Sequence, residues 1–391
     1  MKGLRYLCFF PSINFGLIGA EVFPYAFLYG VLSIRKLGFS AILVFSLLSI
    51  SAYYTLFSTA EISEIIRSYF AYLNPLIIFI AILQMSHLHL QKFYRTAIYV
   101  FYGFCFLLAI QASGLFGFLD PFFKALVPRS SSTSMGFRGV TLLSTEPARA
   151  VVEFIFLYAV FRLTLIQSRH YFLTDLAVGF LTIVIFRSFT GIVLYVVFIF
   201  LFNRKLFFFG LPFGLLVILL AGDTKDGRAV ALILQLSQMS WSEAWFELMN
   251  SSGNRLISII SSVTYGFSRP FGGGVGNWKE TSILALEMTG IDYSKLNYFN
   301  TENSNGIRPY RASGYLMNLL LDVGLFGAVF ITVFLYRLLV SYVRISREAW
   351  NMAVFFSFNI LFVGSVGVTV PWMATAIVMR SIKDNVPRER Y

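Results

Sequence analysis

Apolar runs recur along this chain from its first residues to its last. Most of them are long enough to cross the hydrocarbon core of a bilayer, which requires roughly 20 helical residues. Of the 391 residues, 57% are hydrophobic and 13% are charged, whereas soluble globular proteins contain about 25% charged residues. A water-soluble packing cannot bury so many apolar side chains. The sequence therefore predicts an all-α integral membrane protein, a polytopic bundle of transmembrane helices.

The distribution of basic residues predicts how the chain is oriented. The net charge is +12, and the excess of Lys and Arg falls in one set of short connections, which includes Lys2, Arg35 and Arg204. Loops rich in Lys and Arg face the cytoplasm, so both termini are predicted to be cytoplasmic. Because insertion topology accounts for the positive charge, no basic surface remains to indicate a nucleic-acid partner.

The cysteines and histidines do not form the pattern of a disulfide framework or a metal site. Cys8 and Cys105 lie in apolar runs far apart in the sequence, which is unlike a disulfide-stapled fold. His87, His89 and His170 have no Cys or carboxylate near them at ligand spacing. We therefore predict neither a metal nor a cofactor.

Alternating the sides of the basic loops predicts about 12 spans within a single membrane domain, residues 1–391. Residues 1–10 resemble a signal peptide but lack a small-residue cleavage site, so we interpret them as part of a retained first span. Two pairs of spans must be short hairpins, with turns between Glu21 and Pro24 and at Arg187 and Ser188. The predicted spans lie near 4–20, 22–34, 38–58, 75–90, 96–118, 149–166, 172–187, 189–202, 206–221, 313–336, 349–366 and 367–380.

The connections predicted to lie outside the cytoplasm differ in length. Residues 59–74 have the pattern of an amphipathic helix lying at the membrane interface, and residues 119–148 form a longer loop. The largest connection, residues 222–312 between spans 9 and 10, is far longer than usual, which is typical of a functional segment. Helical periodicity in 229–249 and 255–263 predicts that this external loop is partly helical.

Arg187 lies in a short polar stretch between two long apolar runs. A charged Arg at the membrane centre costs about 2.5 to 3.5 kcal/mol on insertion scales, so its presence is typical of a functional site. The alternative is an Arg at a helix end whose side chain reaches the outer interface. We favour the functional interpretation because short helices at membrane depth occur where they line a cavity.

The external loop contains a second arginine-containing segment. Arg255 precedes the sequence Arg-Pro-Phe-Gly-Gly-Gly-Val-Gly at 269–276. Glycines let the backbone approach a ligand and expose N–H groups, while Arg binds phosphate in bidentate fashion. The alternative is a tight turn between two surface helices. It is not a P-loop, because no Gly-Lys-Ser or Gly-Lys-Thr follows.

Two further stretches flank predicted spans. Glu146 and Pro147 open a span with proline at a helix start, where its missing N–H costs nothing. Arg308 and Arg311 precede the span near 313–336. These two arginines are placed either to hold an anionic ligand at the outer mouth or to anchor at lipid headgroups.

Taken in this order, the motifs resemble the bacterial O-antigen polymerase and ligase superfamily (Wzy and WaaL types). The resemblance covers most of the chain by layout. It consists of Glu146 and Pro147 opening a span, an Arg-Ser turn at Arg187, a large outer loop with Arg255 before the glycine segment, and the Leu-x-x-Asp-x-Gly-Leu-x-Gly pattern at 319–327. The ligases carry a His-Asn-like pair before that last span, whereas this chain has Ala312 and Ser313. The difference favours a polymerase.

The resemblance implies a GT-C-like fold and a glycosyltransferase at the outer face of a bacterial cytoplasmic membrane. It would move a growing glycan from undecaprenyl pyrophosphate onto the next lipid-linked repeat unit, without a metal, together with membrane lipid and a partner protein that regulates chain length. Arg187 and Arg255 would stabilise the departing pyrophosphate, and Glu146 would act as the base. The residues expected to bind the substrate or its pyrophosphate are Arg138, Arg269, Arg308, Arg311, Tyr310, Gly274 and Gly276.

Three alternatives remain at this point. A ligase of the same superfamily would use the same arginines. A flippase or other transporter would usually have internal repeats, which are not evident in the sequence, and an outer loop of about ninety residues is unusual for one. A purely structural membrane protein is disfavoured by the arginines predicted to lie within the membrane.

Overall fold

The computed structural model describes residues 2–14, 22–58, 60–115, 117–127, 129–131, 139–165, 171–210, 235–252, 255–299 and 307–384. Throughout these ranges the regular elements are helices, and no strand occurs in them. The predicted all-α fold class is therefore confirmed. Of the predicted hairpin turns, the one at Arg187 and Ser188 is described, and it separates two helices. The turn between Glu21 and Pro24 lies partly outside the described residues.

Sixteen α-helices are numbered here in chain order. The first eight are α1 (Lys2–Leu7), α2 (Tyr25–Ser33), α3 (Phe39–Thr55), α4 (Ile62–Gln84), α5 (His87–Ser113), α6 (Asp120–Leu126), α7 (Pro147–Leu165) and α8 (Tyr171–Phe180). The second eight are α9 (Phe189–Phe202), α10 (Trp241–Ser251), α11 (Arg255–Ser268), α12 (Trp278–Glu287), α13 (Tyr315–Asp322), α14 (Gly324–Val343), α15 (Arg347–Phe358) and α16 (Val370–Lys383). Helices α8 and α15 continue into the π-helical turns Leu181–Ile185 and Asn359–Val363.

The main core surrounds α16, which packs against both α4 and α7. Trp372 of α16 is fully buried, and its ring meets those of Phe79, Tyr315 and Phe356 at centroid distances of 5.6, 4.9 and 4.9 Å. Edge-to-face aromatic contacts of this kind stabilise a fold by about 0.5 to 1.5 kcal/mol each beyond the area they bury. The cluster joins α4, α13, α15 and α16 into one bundle.

The external loop has a hydrophobic core of its own. It lies between α10, α11, α12 and the segment before α13, and its buried members are Met249, Ile257, Leu286, Leu296, Phe299 and Tyr310. The predicted helices in 229–249 and 255–263 correspond to α10 and α11, although residues 229–234 lie outside the described part. The loop is therefore a partly helical, packed unit.

Within the described part of the chain, three helices are long and apolar enough to cross a membrane, namely α4, α5 and α14. Helices α3 and α9, and α8 with its π-helical turn, are apolar but shorter. The structure is thus compatible with a membrane protein. The predicted spans near 38–58, 149–166 and 189–202 correspond to α3, α7 and α9.

Two predicted boundaries around Pro75 are wrong. The expected interfacial helix 59–74 and the span expected near 75–90 are one helix, α4, with Pro75 inside it. Proline usually favours the first turn of a helix, whereas here it lies in the helix interior. Residues on both sides of Pro75 are buried, and α4 packs against α2 and α3. Tertiary packing therefore outweighs the local preference.

The first and the tenth predicted spans are also wrong in detail. The first was predicted near 4–20; its described part, up to residue 14, is helical to Leu7 and then turns. The tenth, near 313–336, is two helices, α13 and α14, which meet at Val323 and Gly324. Gly324 has φ +77, a left-handed conformation that interrupts a helix and that glycine adopts without steric cost.

Arg162 and Asp175 lie within α7 and α8 and not in the connections between helices. The two side chains form a buried ion pair, with Nε–Oδ1 at 3.1 Å and Nη2–Oδ2 at 3.3 Å. Asp175 also accepts hydrogen bonds from the Tyr158 hydroxyl and from Asn203 Nδ2. The pair therefore joins α7, α8 and the end of α9. Sequence position alone cannot distinguish such a pair from two loop charges.

We expect Asp175→Asn or Arg162→Met to lower the unfolding temperature of the purified protein strongly. Each change leaves one buried charge without its partner, which typically costs about 3 to 5 kcal/mol. Asp292→Asn is the matched control because Asp292 pairs with Lys295 on the surface of the external loop. Unfolding would be followed by thermal denaturation in detergent. Equal midpoints for the buried and the exposed variants would contradict the assigned role of the ion pair.

Candidate functional site

The segment that leads into α7 is held in place by α5. Gln111 of α5 is fully buried and binds both backbone groups of Leu142: Oε1 accepts from the Leu142 N–H at 2.8 Å, and Nε2 donates to the Leu142 carbonyl at 3.2 Å. Leu142 has φ +51, which is strained for a branched side chain. The two hydrogen bonds from Gln111 therefore stabilise a positive φ at Leu142, a conformation that leucine rarely adopts.

A second contact ties the same segment to α7. The Ser144 hydroxyl donates to Glu153 Oε2 at 2.7 Å, and both side chains are buried. Glu153 Oε1 has no hydrogen-bond partner among the described residues. Arg149, one turn earlier on α7, supplies positive charge near this carboxyl group. Together these contacts fix the first turn of α7 and the residues immediately before it.

A small open recess with a cavity volume of about 30 Å³ lies at this end of α7. Glu146 lines it from the position just before α7, and Arg149 lines it from the first turn of α7. Thr190 lines it from the first turn of α9, and Arg255 lines it from the start of α11. The turn between α15 and α16 closes another side, with Ser365 among its lining residues. The recess therefore combines membrane-bundle helices with the external loop.

The charges in the recess favour an anionic ligand. Arg149 and Arg255 carry two positive charges and Glu146 carries one negative charge. Burial lowers the pKa of the Arg255 guanidinium, while the negative charge of Glu146 acts in the opposite direction. The N-terminus of α7, which begins at Pro147, adds the positive end of a helix dipole. Arginine remains protonated in proteins, so the recess has a net positive charge.

The arrangement has two chemical capacities. Two guanidinium groups can donate charge-assisted hydrogen bonds to phosphate oxygens, each contributing roughly 1.5 to 3 kcal/mol. Glu146 is exposed and lines the same recess, so its carboxylate can accept a proton from a ligand hydroxyl. A site that neutralises a leaving anion beside a proton acceptor is suited to group transfer.

The predicted grouping of Arg187 with Arg255 is not found. Arg187 has φ +49 and an exposed side chain, and its Nε donates to the carbonyl of Val184 at 3.1 Å within its own turn. The recess is reached instead by Thr190, three residues later. Arg138, the other arginine expected near this segment, lies outside the described residues.

The expected phosphate-binding role of Gly274 and Gly276 is corrected by the structure. The N–H groups of Gly273 and Gly274 donate at 2.8 Å to the carbonyls of Leu321 and Asp322. The Gly276 backbone lies close to the Asp322 carboxylate. The N–H donors of Gly273 and Gly274 are therefore occupied within the protein. The glycines are needed for close backbone packing, because this segment lies against the junction of α13 and α14.

Tyr310 and Arg311 are likewise used inside the protein. Tyr310 is buried in the core of the external loop, where its hydroxyl meets that of Ser261, and burial raises the pKa of Tyr310 to about 12. Arg311 forms an ion pair with Glu64 at 3.4 Å and stacks over the ring of Trp278 at 4.8 Å. The prediction that both side chains contact substrate is wrong for Tyr310, whereas Arg311 links the external loop to α4.

Two predicted arginines are exposed but do not line the recess. Arg308 lies 4.9 Å from the ring of Tyr298, on the surface of the external loop. Arg269 follows α11 and is also exposed. Of the predicted site residues that the structure describes, Glu146 and Arg255 are the ones brought together in the recess.

Sequence reasoning missed Arg149, Thr190 and the buried Glu153. A signal for two of them was present, because Arg149 and Glu153 follow Glu146 at spacings of three and seven residues, which place side chains on one face of a helix. No comparable signal identifies Thr190. It reaches the recess because Gly191 lets α9 approach Val151 of α7 so closely that a Cβ at position 191 would lie 2.7 Å from that side chain.

Comparisons with known proteins do not assign this chain to a group. No known protein family, no curated protein and no solved structure matches it. Support for a function therefore comes from the geometry of the recess and from the sequence motifs.

We expect Gly272→Ala and Gly324→Ala to destabilise the protein much more than Gly290→Ala. All three glycines have positive φ, which costs an alanine roughly 1 to 2 kcal/mol. Only the first two would also place a Cβ against backbone, at 2.5 Å from Gly324 N and 2.2 Å from the Pro270 carbonyl oxygen, whereas Gly290 faces open space. Thermal unfolding of the three variants measures the difference, and equal losses would contradict a packing role for this segment.

Proposed function

We propose that this protein is a polymerase of O-antigen or a related surface polysaccharide. It would transfer a growing glycan from undecaprenyl pyrophosphate to the next lipid-linked repeat unit at the outer face of a bacterial cytoplasmic membrane. The observation that carries the proposal is the recess in which Arg149, Arg255 and Glu146 meet. It supplies positive charge for a leaving pyrophosphate and a carboxylate for the attacking hydroxyl.

In the proposed reaction, Glu146, Arg149 and Arg255 account for the proton that is released and for the negative charge that develops. A hydroxyl of the acceptor sugar attacks the anomeric carbon of the donor glycan, and the bond from that carbon to the pyrophosphate oxygen breaks. Glu146 accepts the proton of the attacking hydroxyl. Arg149 and Arg255 stabilise the negative charge that develops on the pyrophosphate, the type of contribution that is usually the largest in catalysis. No metal is needed, because the guanidinium groups provide the positive charge.

The proposed membrane arrangement is a GT-C-like bundle of about 12 spans with both termini in the cytoplasm. Helix α7 supports this orientation because Arg149 and Arg162 are 13 residues apart on it, roughly 20 Å at 1.5 Å per residue. Arg149 lies at the recess. Arg162 lies near the opposite end of α7, on the side where the sequence predicts the two basic connections that contain Arg169 and Arg204. Positive connections at that end favour the cytoplasm, which leaves the recess on the outer side.

The proposed partners follow from the same reaction. The substrate is an undecaprenyl-pyrophosphate-linked oligosaccharide held in membrane lipid, and a second protein would regulate chain length. A ligase of the same superfamily is the alternative that the recess also accommodates. The two are separated by the glycolipids of cells that lack the protein. Loss of a polymerase leaves single repeat units attached to the lipid core, whereas loss of a ligase leaves the core without any.

We expect Arg255→Ala, Arg149→Ala and Glu146→Ala each to abolish long glycan chains in cells that depend on this protein. Removing one preorganised donor typically lowers kcat by about 10²- to 10³-fold. Arg255→Lys keeps the charge but loses the bidentate geometry, so it should retain part of the activity. Chain length would be measured by gel electrophoresis of the glycolipids, with membrane levels of each variant determined in parallel.

Arg344→Ala is the matched control. Arg344 is exposed at the opposite end of α14 from the external loop and does not line the recess. It should leave chain length unchanged. Wild-type chains in both the Arg149 and Arg255 variants, at normal membrane levels, would overturn the assignment of the recess.

Purified protein incubated with its lipid-linked repeat unit provides a direct assay. A ladder of products, formed equally well with a chelator present, is the expected result for a reaction in which arginines carry the positive charge. Loss of the ladder on chelation would contradict the metal-independent mechanism.

A further inference from the structure

The exposed face of α14 is a continuous apolar stripe. Phe326, Val329, Phe330, Val333 and Tyr336 recur at helical spacing, and each is 37 to 65% exposed. The opposite face packs against α3, α15 and α16. With 20 residues, α14 is about 30 Å long, which matches the hydrocarbon core of a bilayer. This stripe is therefore expected to contact the acyl chains of lipid.

The end of α11 and the turn after it continue the stripe into the external loop. Phe267 is 66% exposed and Phe271 is 80% exposed. The ring of Phe271 lies 5.4 Å from that of Phe326, the first aromatic residue of the α14 stripe. Arg269 lies between the two phenylalanines in sequence and is exposed, and no described carboxylate is within ion-pair distance of it. We call residues 267–271 the aromatic tip.

Backbone contacts fix the position of the aromatic tip relative to α14. The Phe326 N–H donates to the Pro270 carbonyl at 3.2 Å. Gly272 and Gly324 approach so closely that a Cβ on either would meet backbone atoms of the other segment. The tip therefore cannot move independently of the first turn of α14, and its depth in a bilayer is set by that helix.

We propose that the aromatic tip is a lipid-anchoring site. Phe267 and Phe271 insert at the boundary between headgroups and acyl chains, and Arg269 binds the phosphate of a bulk phospholipid. Aromatic residues at membrane interfaces and basic side chains reaching headgroups have this arrangement. The proposal assigns Arg269 to membrane phospholipid instead of to the pyrophosphate of a substrate.

Two observations favour bulk lipid over a protein partner. The tip is continuous with the apolar face of a candidate membrane span through the contact of Phe271 with Phe326. Its one charged residue is a cation, which complements the phosphates that lie at this depth in every bilayer. A consequence for the site is that the anchor holds α11, and with it Arg255, at a fixed height above the membrane.

The test is a fluorescent probe at position 271. Cys8→Ala and Cys105→Ala provide the background, and Phe271→Cys carries a small thiol-reactive fluorophore. The labelled full-length protein is placed in vesicles of phosphatidylethanolamine and phosphatidylglycerol that contain no polyprenyl lipid. We expect phospholipids with brominated acyl chains to quench the probe, and aqueous iodide to quench it weakly. Val329→Cys, on the α14 stripe, is the membrane control, and Ser294→Cys, exposed in the external loop, is the aqueous control.

The role of Arg269 is tested in the same vesicles. Arg269→Glu should reduce quenching by brominated lipid at position 271, whereas Arg269→Lys should retain it. A probe at 271 that behaves like the one at 294 would overturn the proposal. Quenching that appears only after undecaprenyl pyrophosphate is added would also overturn it, because the ligand would then be a substrate. None of these measurements requires glycan transfer, so their outcome is independent of the proposed function.

Discussion

The backbone contact between the glycine segment and the junction of α13 and α14 is the constraint on which most of the structure depends. Gly273 and Gly274 donate to carbonyls at the end of α13, and Gly272 and Gly324 exclude any Cβ between them. Asp322, at the same junction, accepts from the Tyr72 hydroxyl of α4 at 2.8 Å. The external loop is thereby attached rigidly to the helical bundle. The two backbone segments can be in direct contact because no side chain lies between them.

This attachment explains how a site is built from distant parts of the chain. Arg255 belongs to the external loop, whereas Glu146 and Arg149 belong to a helix whose other end is held by the buried pair of Arg162 and Asp175. A shift of the loop by about 1 Å would change the distance between the guanidinium group and the carboxylate, and in the proposed reaction a misplacement of this size can cost about 10²-fold in rate. The shape of the recess therefore depends on the rigid junction and on the hydrogen bonds of Gln111 as well as on the lining residues.

The local pattern predicted helices well and their boundaries less well. Apolar periodicity predicted α3, α7 and α9, because each helix buries one continuous set of side chains. It predicted a helix boundary at Pro75, but packing on α2 and α3 keeps α4 continuous there. It also missed the break at Gly324, which follows from the contact with Gly272, a residue more than 50 positions away in the sequence. Pairwise contacts at such separation leave no periodic signal.

By itself, the sequence determined that the protein is helical and apolar. It predicted that the basic connections lie on one side of a membrane and that Glu146 and Arg255 belong to a functional site. These properties follow from composition and from local spacing, which act within a few turns of helix. Tertiary structure alone decided which arginines share a recess. It placed Arg149 beside Arg255, buried Tyr310, and paired Arg311 with Glu64. The physical reason is that a charge acts through distance in space, and only the packing of the helices determines that distance.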